Sequence, residues 1–364
     1  MATDLPLAER ITTAMTPPSP PEAPMKILIV STSVFVLPIQ GYGGTEALVY
    51  SLAHAYAKRG HEVTVVAPEG STFEDPNIKL CPIMQGELEE SAFVKYRDTL
   101  KDYDIIQDMA FGGWAYLESV GVEPPLPIIK TFHTDPSIWD SAPPVPHPCL
   151  VGISHDHSRR LALKLGVPVR TVYNGIPPDF YKPDPEKKRN GRLLWVGRYT
   201  PEKSPLDSML IAKKLKMPLD CYGDTSMVAS PEYVDRCRKE ADGLLVRFYP
   251  GVSRTRTVEL YQSYKALLYT PSWSEPFGLV LCEASACGLP IVTLGHGSLP
   301  ELVKNGVNGF SCDTIEQVED VLRSGKLRDI RPEACREWAL QFSVDSMAER
   351  YLALFREIQA GHTW

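Results

Sequence analysis

Glu275 and Glu283 bracket the segment Pro-Phe-Gly-Leu-Val-Leu-Cys, inside a longer run from Ser272 to Pro290. If the chain becomes helical at Gly278, Glu283 lies about a turn and a half inside that helix and Glu275 stays on the turn before it. Both carboxylates then face one small volume. The first N–H groups of such a helix have no acceptor within it and point the same way, which suits a phosphate or a sugar hydroxyl. Taken alone, the spacing is more often that of an acidic, solvent-facing helix surface.

Other residues carry compatible chemistry. Arg198 ends the apolar run Leu193-Leu-Trp-Val-Gly197, and Lys203 stands just before Ser204-Pro205, where a helix is expected with serine as its cap. Two cations so placed can grip one diphosphate, or can be ordinary surface charges. Gly41-Tyr-Gly43-Gly44-Thr45-Glu46 precedes the first long helix. Glu46 stands where a dinucleotide fingerprint needs glycine, so a nicotinamide reading is weak, and the loop is either an anion or hydroxyl cradle or a flexible tip. His133 closes an apolar strand in Lys130-Thr-Phe-His133, a place that suits a structural histidine as well as a ligand. Asp108 and Ser154-His-Asp-His157 are weaker candidates; the latter reads as a helix cap. Asp102-Tyr-Asp104 reads as a solvated turn rather than a metal site. Tyr173-Asn174-Gly175-Ile-Pro177 reads as a tight turn that favours positive φ.

Alternating strand and helix periods must position these groups. Lys26 to Val30, His61 to Ala67 and the helical repeat of Leu48, Leu52 and Tyr56 between them form a βαβ unit, hence a parallel sheet. Further strands are expected at 105–106, 128–132, 149–153 and 169–173. After a proline-rich, charged stretch a second alternation has strands near 192–197, 219–222, 245–248, 266–270 and 290–293. The expected organisation is a disordered extension over 1–24, a first domain over 25–177, a linker over 178–190, a second domain over 191–342, and a closing helical segment over 343–364 with Ser343 as its cap.

The chain has 364 residues, 38 basic against 45 acidic, a formal charge of −7. That length fits two domains, and the acidic balance argues against nucleic acid as a partner. No apolar run is long enough to span a bilayer, so membrane contact is expected to be peripheral at most. The eight scattered cysteines and the lack of a secretory leader point to a reducing cytoplasm and to no structural metal.

With Phe277-Gly278 and Ala286-Cys-Gly-Leu-Pro290 in register, the Glu275-to-Glu283 pattern resembles the nucleotide-sugar site of family 4 retaining glycosyltransferases, the glycosyl transferases group 1. Val196-Gly-Arg198-Tyr-Thr-Pro-Glu-Lys203 is similar to that family's Val-Gly-Arg-x-x-x-x-Lys segment, and Phe132-His133-Thr134 to its Phe-His-Thr segment. Leu299-Pro-Glu301 and Asn305-Gly-Val-Asn-Gly-Phe310 match its tail motif. The resemblance implies an α/β GT-B fold: two doubly wound Rossmann-like domains facing a cleft, with a C-terminal helix crossing back to the first. It implies that Glu283 holds the ribose and Glu275 a sugar hydroxyl, while Phe277, Gly278 and Leu279 offer N–H groups. Arg198 and Lys203 would neutralise the leaving diphosphate without a metal, His133 would reach the transferred sugar, and Gly43 and Gly44 would close over the donor phosphate. The tail motif, Glu301 included, would shape the floor of the nucleotide site, and Gly223-Asp-Thr225 would lie near the base.

The activity so implied moves a hexose, with retention and by same-face attack, from a nucleotide-sugar to an acceptor hydroxyl. UDP-hexose is favoured over GDP- or ADP-hexose, no cofactor is expected, and the acceptor is a glycan, a glycolipid or a small molecule. A catalytically silent nucleotide-sugar-binding module and a sugar phosphorylase or epimerase on the same fold are the alternatives.

Overall fold

The computed structural model describes residues 23–118, 125–145, 147–225 and 230–364; the extension expected over 1–24 lies outside them except for residues 23 and 24. Short, apolar, β-branched runs form two parallel sheets. The first holds β1 (Lys26–Val30), β2 (Glu62–Pro68), β3 (Ile78–Ile83), β4 (Ile105–Asp108), β5 (Ile128–Thr131), β6 (Leu150–Gly152) and β7 (Arg170–Thr171), in the order β3-β2-β1-β4-β5-β6-β7. The second holds β8 (Leu193–Arg198), β9 (Leu219–Asp224), β10 (Val246–Pro250), β11 (Ala266–Tyr269), β12 (Ile291–Leu294) and β13 (Gly309–Cys312), in the order β10-β9-β8-β11-β12-β13.

β1 explains why the runs lack alternation. Its successive side chains point to opposite faces, and both faces are covered: Ile27 and Ile29 enter one apolar cluster, Leu28 and Val30 the other. In each sheet the strand order reverses beside β1 or β8, and ligands of open α/β sheets bind outside the carboxyl ends at such points. Arg198 is therefore delivered to a binding position simply by ending β8.

Two strands escape the sequence reading, β3 and β13. Both are edge strands. Pro82 sits in β3, which the edge tolerates because one side of the strand needs no donor; β13 is four residues long and starts on Gly309.

The closing helix, Val344–Gln359, is capped by Ser343, whose hydroxyl accepts from Ser346 N–H. It crosses back to the first domain. Met347, Tyr351 and Phe355 join the cluster formed by Ile27, Leu52 and Tyr56, Tyr351 hydroxyl meets Thr131 Oγ1 at 2.9 Å, and Trp364 Nε1 donates to Leu150 carbonyl at 2.9 Å.

Where the helix begins, Ile176 N–H donates to Phe342 carbonyl and Val344 N–H to Ile176 carbonyl, both at 2.9 Å. Gly175 does not adopt the positive φ expected of an Asn-Gly turn. Its requirement is proximity: a Cβ would lie 2.6 Å from Ser343 carbonyl oxygen and from Val344 Cα. Gly175→Ala is expected to lower unfolding free energy by about 2 kcal/mol, because backbone on both sides must move. An unchanged midpoint in urea denaturation would contradict that account.

Candidate active site

A cleft of about 760 Å³ opens between the carboxyl edges of the two sheets. Ten of the residues singled out from the sequence line it: Gly43, Gly44 and His133 from the first domain, and Arg198, Lys203, Glu275, Phe277, Gly278, Leu279 and Glu283 from the second.

Glu275 lies on the turn after β11 and is 5% exposed. Lys203 Nζ donates to both its oxygens, at 2.7 and 2.6 Å; Tyr269 hydroxyl donates at 2.8 Å and Trp273 Nε1 at 3.0 Å. The Lys203 ammonium also stands 4.8 Å from the centre of the Trp273 ring. The residues assigned to sugar and to diphosphate thus form one buried ion pair. Burial and Glu275 together push the Tyr269 hydroxyl well above its ordinary pKa, which keeps it a donor.

Glu283, in the helix Leu279–Ala286, receives Tyr181 hydroxyl at 2.8 Å and Tyr261 hydroxyl at 3.1 Å. Arg254 approaches to 3.7 Å and donates to Tyr181 hydroxyl at 2.7 Å. Gly278 makes the sharp entry to this helix with φ 100°; Gly278, Leu279 and Val280 line the cleft, and Leu281 N–H turns back to Gly278 carbonyl at 3.0 Å.

Arg198 is held less completely. One guanidinium nitrogen lies 3.3 Å from Glu202, four residues on, and the group stands 5.6 Å from the Tyr42 ring. Its Nε is buried without a hydrogen-bond partner. Ser204, expected to cap the next helix, has φ 42° and its hydroxyl donates to Asp207 instead of accepting a main-chain N–H.

From the other domain, His133 brings a second buried, unpartnered atom, Nε2. Burial, then the Lys130 and His157 charges, lowers its pKa to about 3, so the ring is neutral at physiological pH. His157 is lowered to about 4, chiefly by burial, and its N–H donates to Ser154 Oγ in the expected helix cap. Both folded values lie below the unfolded one, so the unfolded chain binds more protons between them and stability falls as pH drops below about 6.5. The urea midpoint is expected to fall steadily from pH 7 to pH 4. By the same argument kcat/KM should show no limb from His133 above pH 5; a histidine limb that disappears in His133→Gln would contradict this.

The glycine loop reaches across the cleft. Gln40 carbonyl accepts Arg254 N–H at 3.1 Å, and a Cβ on Gly44 would meet Leu279 at 3.3 Å. At Gly43, with φ 145°, a Cβ would collide with Ile39.

Glu301 does not line the cleft, contrary to the expectation that its motif floors the nucleotide site. Its carboxylate instead caps the helix His155–Leu165 of the opposite domain, accepting His155 N–H at 2.9 Å, Asp156 N–H at 2.8 Å and Tyr173 hydroxyl at 2.7 Å. Ser154 hydroxyl donates to Pro276 carbonyl at 2.8 Å beside it. Asp108 is buried against Lys130 at 3.2 Å and accepts Ala110 and Tyr116 N–H groups, a structural role. Asp104 accepts Lys26 N–H at 2.7 Å, away from the cleft.

Tyr42, Tyr181, Arg254, Tyr261, Tyr269 and Trp273 were not singled out from the sequence. Trp273 and Tyr42 lie within the motifs and were within reach; the other four meet the carboxylates only through tertiary packing. Among the described residues no group of three or more His, Cys, Asp or Glu is arranged to hold a metal ion, and no helix is long and apolar enough to cross a membrane.

Known proteins match this chain in family and in fold. Residues 42–180 match the model of Glycosyltransferase Family 4 and residues 179–337 that of Glycosyl transferases group 1. D-inositol 3-phosphate glycosyltransferase of Mycolicibacterium smegmatis is 27% identical over 422 residues, covering 94% of each chain; the Mycobacterium marinum protein of that name is 26% identical, covering 91% of this chain and 84% of its own. Among solved structures, AviGT4, a glycosyltransferase involved in avilamycin A biosynthesis, superposes with a TM-score of 0.74 at 24% identity, covering 94% of this chain and all of its own. Anabaena HepE, solved in complex with UDP-glucose, gives 0.71 at 19% identity, covering 92% and 100%.

Proposed function

Since the chain belongs to the family 4, group 1 glycosyltransferases, we propose that it moves a hexose from a nucleotide-diphosphate sugar to an acceptor hydroxyl, with retention and without a divalent metal. One observation carries this reading most directly. Arg198 Nε from the second domain and His133 Nε2 from the first are both buried without partners, and both residues line the same cleft. Orphaned buried polar atoms are costly, and a ligand between the domains would satisfy them.

In this proposal Glu283 receives the ribose hydroxyls beside Tyr181 and Tyr261. The sugar sits against Glu275, whose orientation Lys203, Tyr269 and Trp273 fix. Arg198, with the first N–H groups of the helix Leu279–Ala286, takes up charge on the diphosphate as the bond from sugar C1 to phosphate oxygen breaks, its electron pair leaving with the nucleotide. The acceptor oxygen bonds to C1 from the same face, and its proton passes to the departing phosphate oxygen. Neutral His133 offers a hydrogen bond to the transferred sugar. Arg198, with Lys203 paired to Glu275, supplies the charge neutralisation a divalent ion gives elsewhere. UDP-hexose is the favoured donor, supported by the UDP-glucose complex of HepE; the relatives' name, with its inositol phosphate, marks a small polyol as one acceptor class to test.

Nucleotide release from UDP-, GDP- and ADP-hexoses in the presence of EDTA, with the product anomer read by proton NMR, tests the proposal. Metal-free turnover that keeps the donor's anomeric configuration is expected. Inversion would refute the same-face step, and tight donor binding without release to any acceptor would favour a binding module.

A further inference from the structure

The two halves of the cleft differ in where their cations lie. Arg198, Lys203 and Arg254 line the second-domain half, beside Asp224, Glu275 and Glu283. The first-domain half is built from residues 40–45, Leu48, His133, Ile153 and Asn174, with no lysine or arginine among them. Several cations in or after β3, β5 and β6 are paired within their own domain. Lys95 pairs with Glu87 at 2.8 Å, Lys130 with Asp108 at 3.2 Å, and Arg160 with Asp135 and with Asp156, the latter at 2.6 Å. Outside the described set, residues 119–124, 146 and 226–229 include no basic residue, and residues 1–22 include Arg10.

An anion stands directly behind this half. Glu46 is 3% exposed, accepts the Thr32 hydroxyl, and its Oε2 lies 3.1 Å from where a Gly43 Cβ would be. What the half offers instead is uncharged hydrogen bonding. Asn174 is 3% exposed with Oδ1 unpartnered, and His133 Nε2 is unpartnered as well. The low pKa of His133 keeps that ring uncharged in neutral solution.

From this we infer that the acceptor is a neutral, polyhydroxylated molecule and that phosphorylated acceptors are discriminated against; the inference rests on the transferase reading above. Among the described residues this half-site offers a phosphate on the acceptor no lysine or arginine and sets Glu46 nearby, and holding a dianion there without a counter-charge is unfavourable. Hydroxyls, by contrast, can donate to Asn174 Oδ1 and exchange hydrogen bonds with His133 Nε2 at no charge cost.

Matched acceptor pairs test this with the intact chain and whichever nucleotide-sugar it turns over fastest: myo-inositol against its 3-phosphate, and glucose against glucose 6-phosphate, each scored by nucleotide release. The neutral member of each pair is expected to give kcat/KM at least about tenfold above its phosphorylated partner. Equal or better use of a phosphorylated member overturns the inference and leaves the transferase reading standing. Absence of nucleotide release from any nucleotide-sugar, with or without acceptor, defeats the transferase reading instead.

Discussion

Arg198→Ala is expected to lower kcat by about two to three orders of magnitude while donor KM changes far less, the signature of an interaction stronger in the transition state than in the ground state. The reason lies in how the side chain is held. β8 fixes its backbone, the guanidinium stands 5.6 Å from the centre of the Tyr42 ring, and the 3.3 Å contact with Glu202 leaves the buried Nε unsatisfied. Charge growing on a departing phosphate oxygen would find that donor in place, with no protein bond to give up first. Lysine at 198 should recover little, since a point charge cannot reproduce the planar fork. Steady-state kinetics on the two variants decides it: donor affinity collapsing with kcat at saturation intact would assign Arg198 to binding alone.

The second large effect concerns Lys203 and Glu275, and it should register in stability as well as in rate. Each is the other's main counter-charge in a site where their side chains are only 15% and 7% exposed. Lys203→Ala leaves the carboxylate with two neutral donors, Tyr269 and Trp273. Breaking a buried pair from one side typically costs 3–5 kcal/mol, and about 3 kcal/mol is expected here, visible as a lower thermal midpoint. Removing both partners removes the uncompensated charge, so the double alanine variant should be more stable than the sum of the single losses by about 2 kcal/mol. Additive losses would mean that the pair is not coupled in the folded protein.

The parts of the molecule legible in the sequence are those encoded by neighbours along the chain. β1 and β8 read as buried strands because their apolar runs are unbroken, and Gly278 with Glu283 read as a helix start because both cues lie within a few residues. His133 and Arg198 were within reach for the same reason, since each ends such a run. What packing creates was hidden. Glu283 is held by Tyr181, from a stretch that reads as linker, and by Tyr261, from the helix Arg254–Ser263. Neither position carries a periodic or motif signal. Glu301 was misplaced because its motif says where the segment lies, whereas its role depends on the opposite domain presenting the His155 and Asp156 N–H groups of a helix start. Ser204 shows that a serine before proline can occupy the cap position without making the cap bond.

The crossover helix also fixes the order in which the protein can be completed. A ribosome delivers the first sheet well before Met347, Tyr351 and Phe355, yet those side chains fill the cluster that covers one face of that sheet. Until they arrive, Ile27, Leu52 and Tyr56 have an unfilled neighbour and β6 lacks its bond to Trp364. The second domain, with its own apolar cluster, carries no such debt to the closing helix. The half of the chain made first is therefore the half finished last, and nascent chains stalled short of residue 344 would hold an exposed apolar face toward chaperones and proteases.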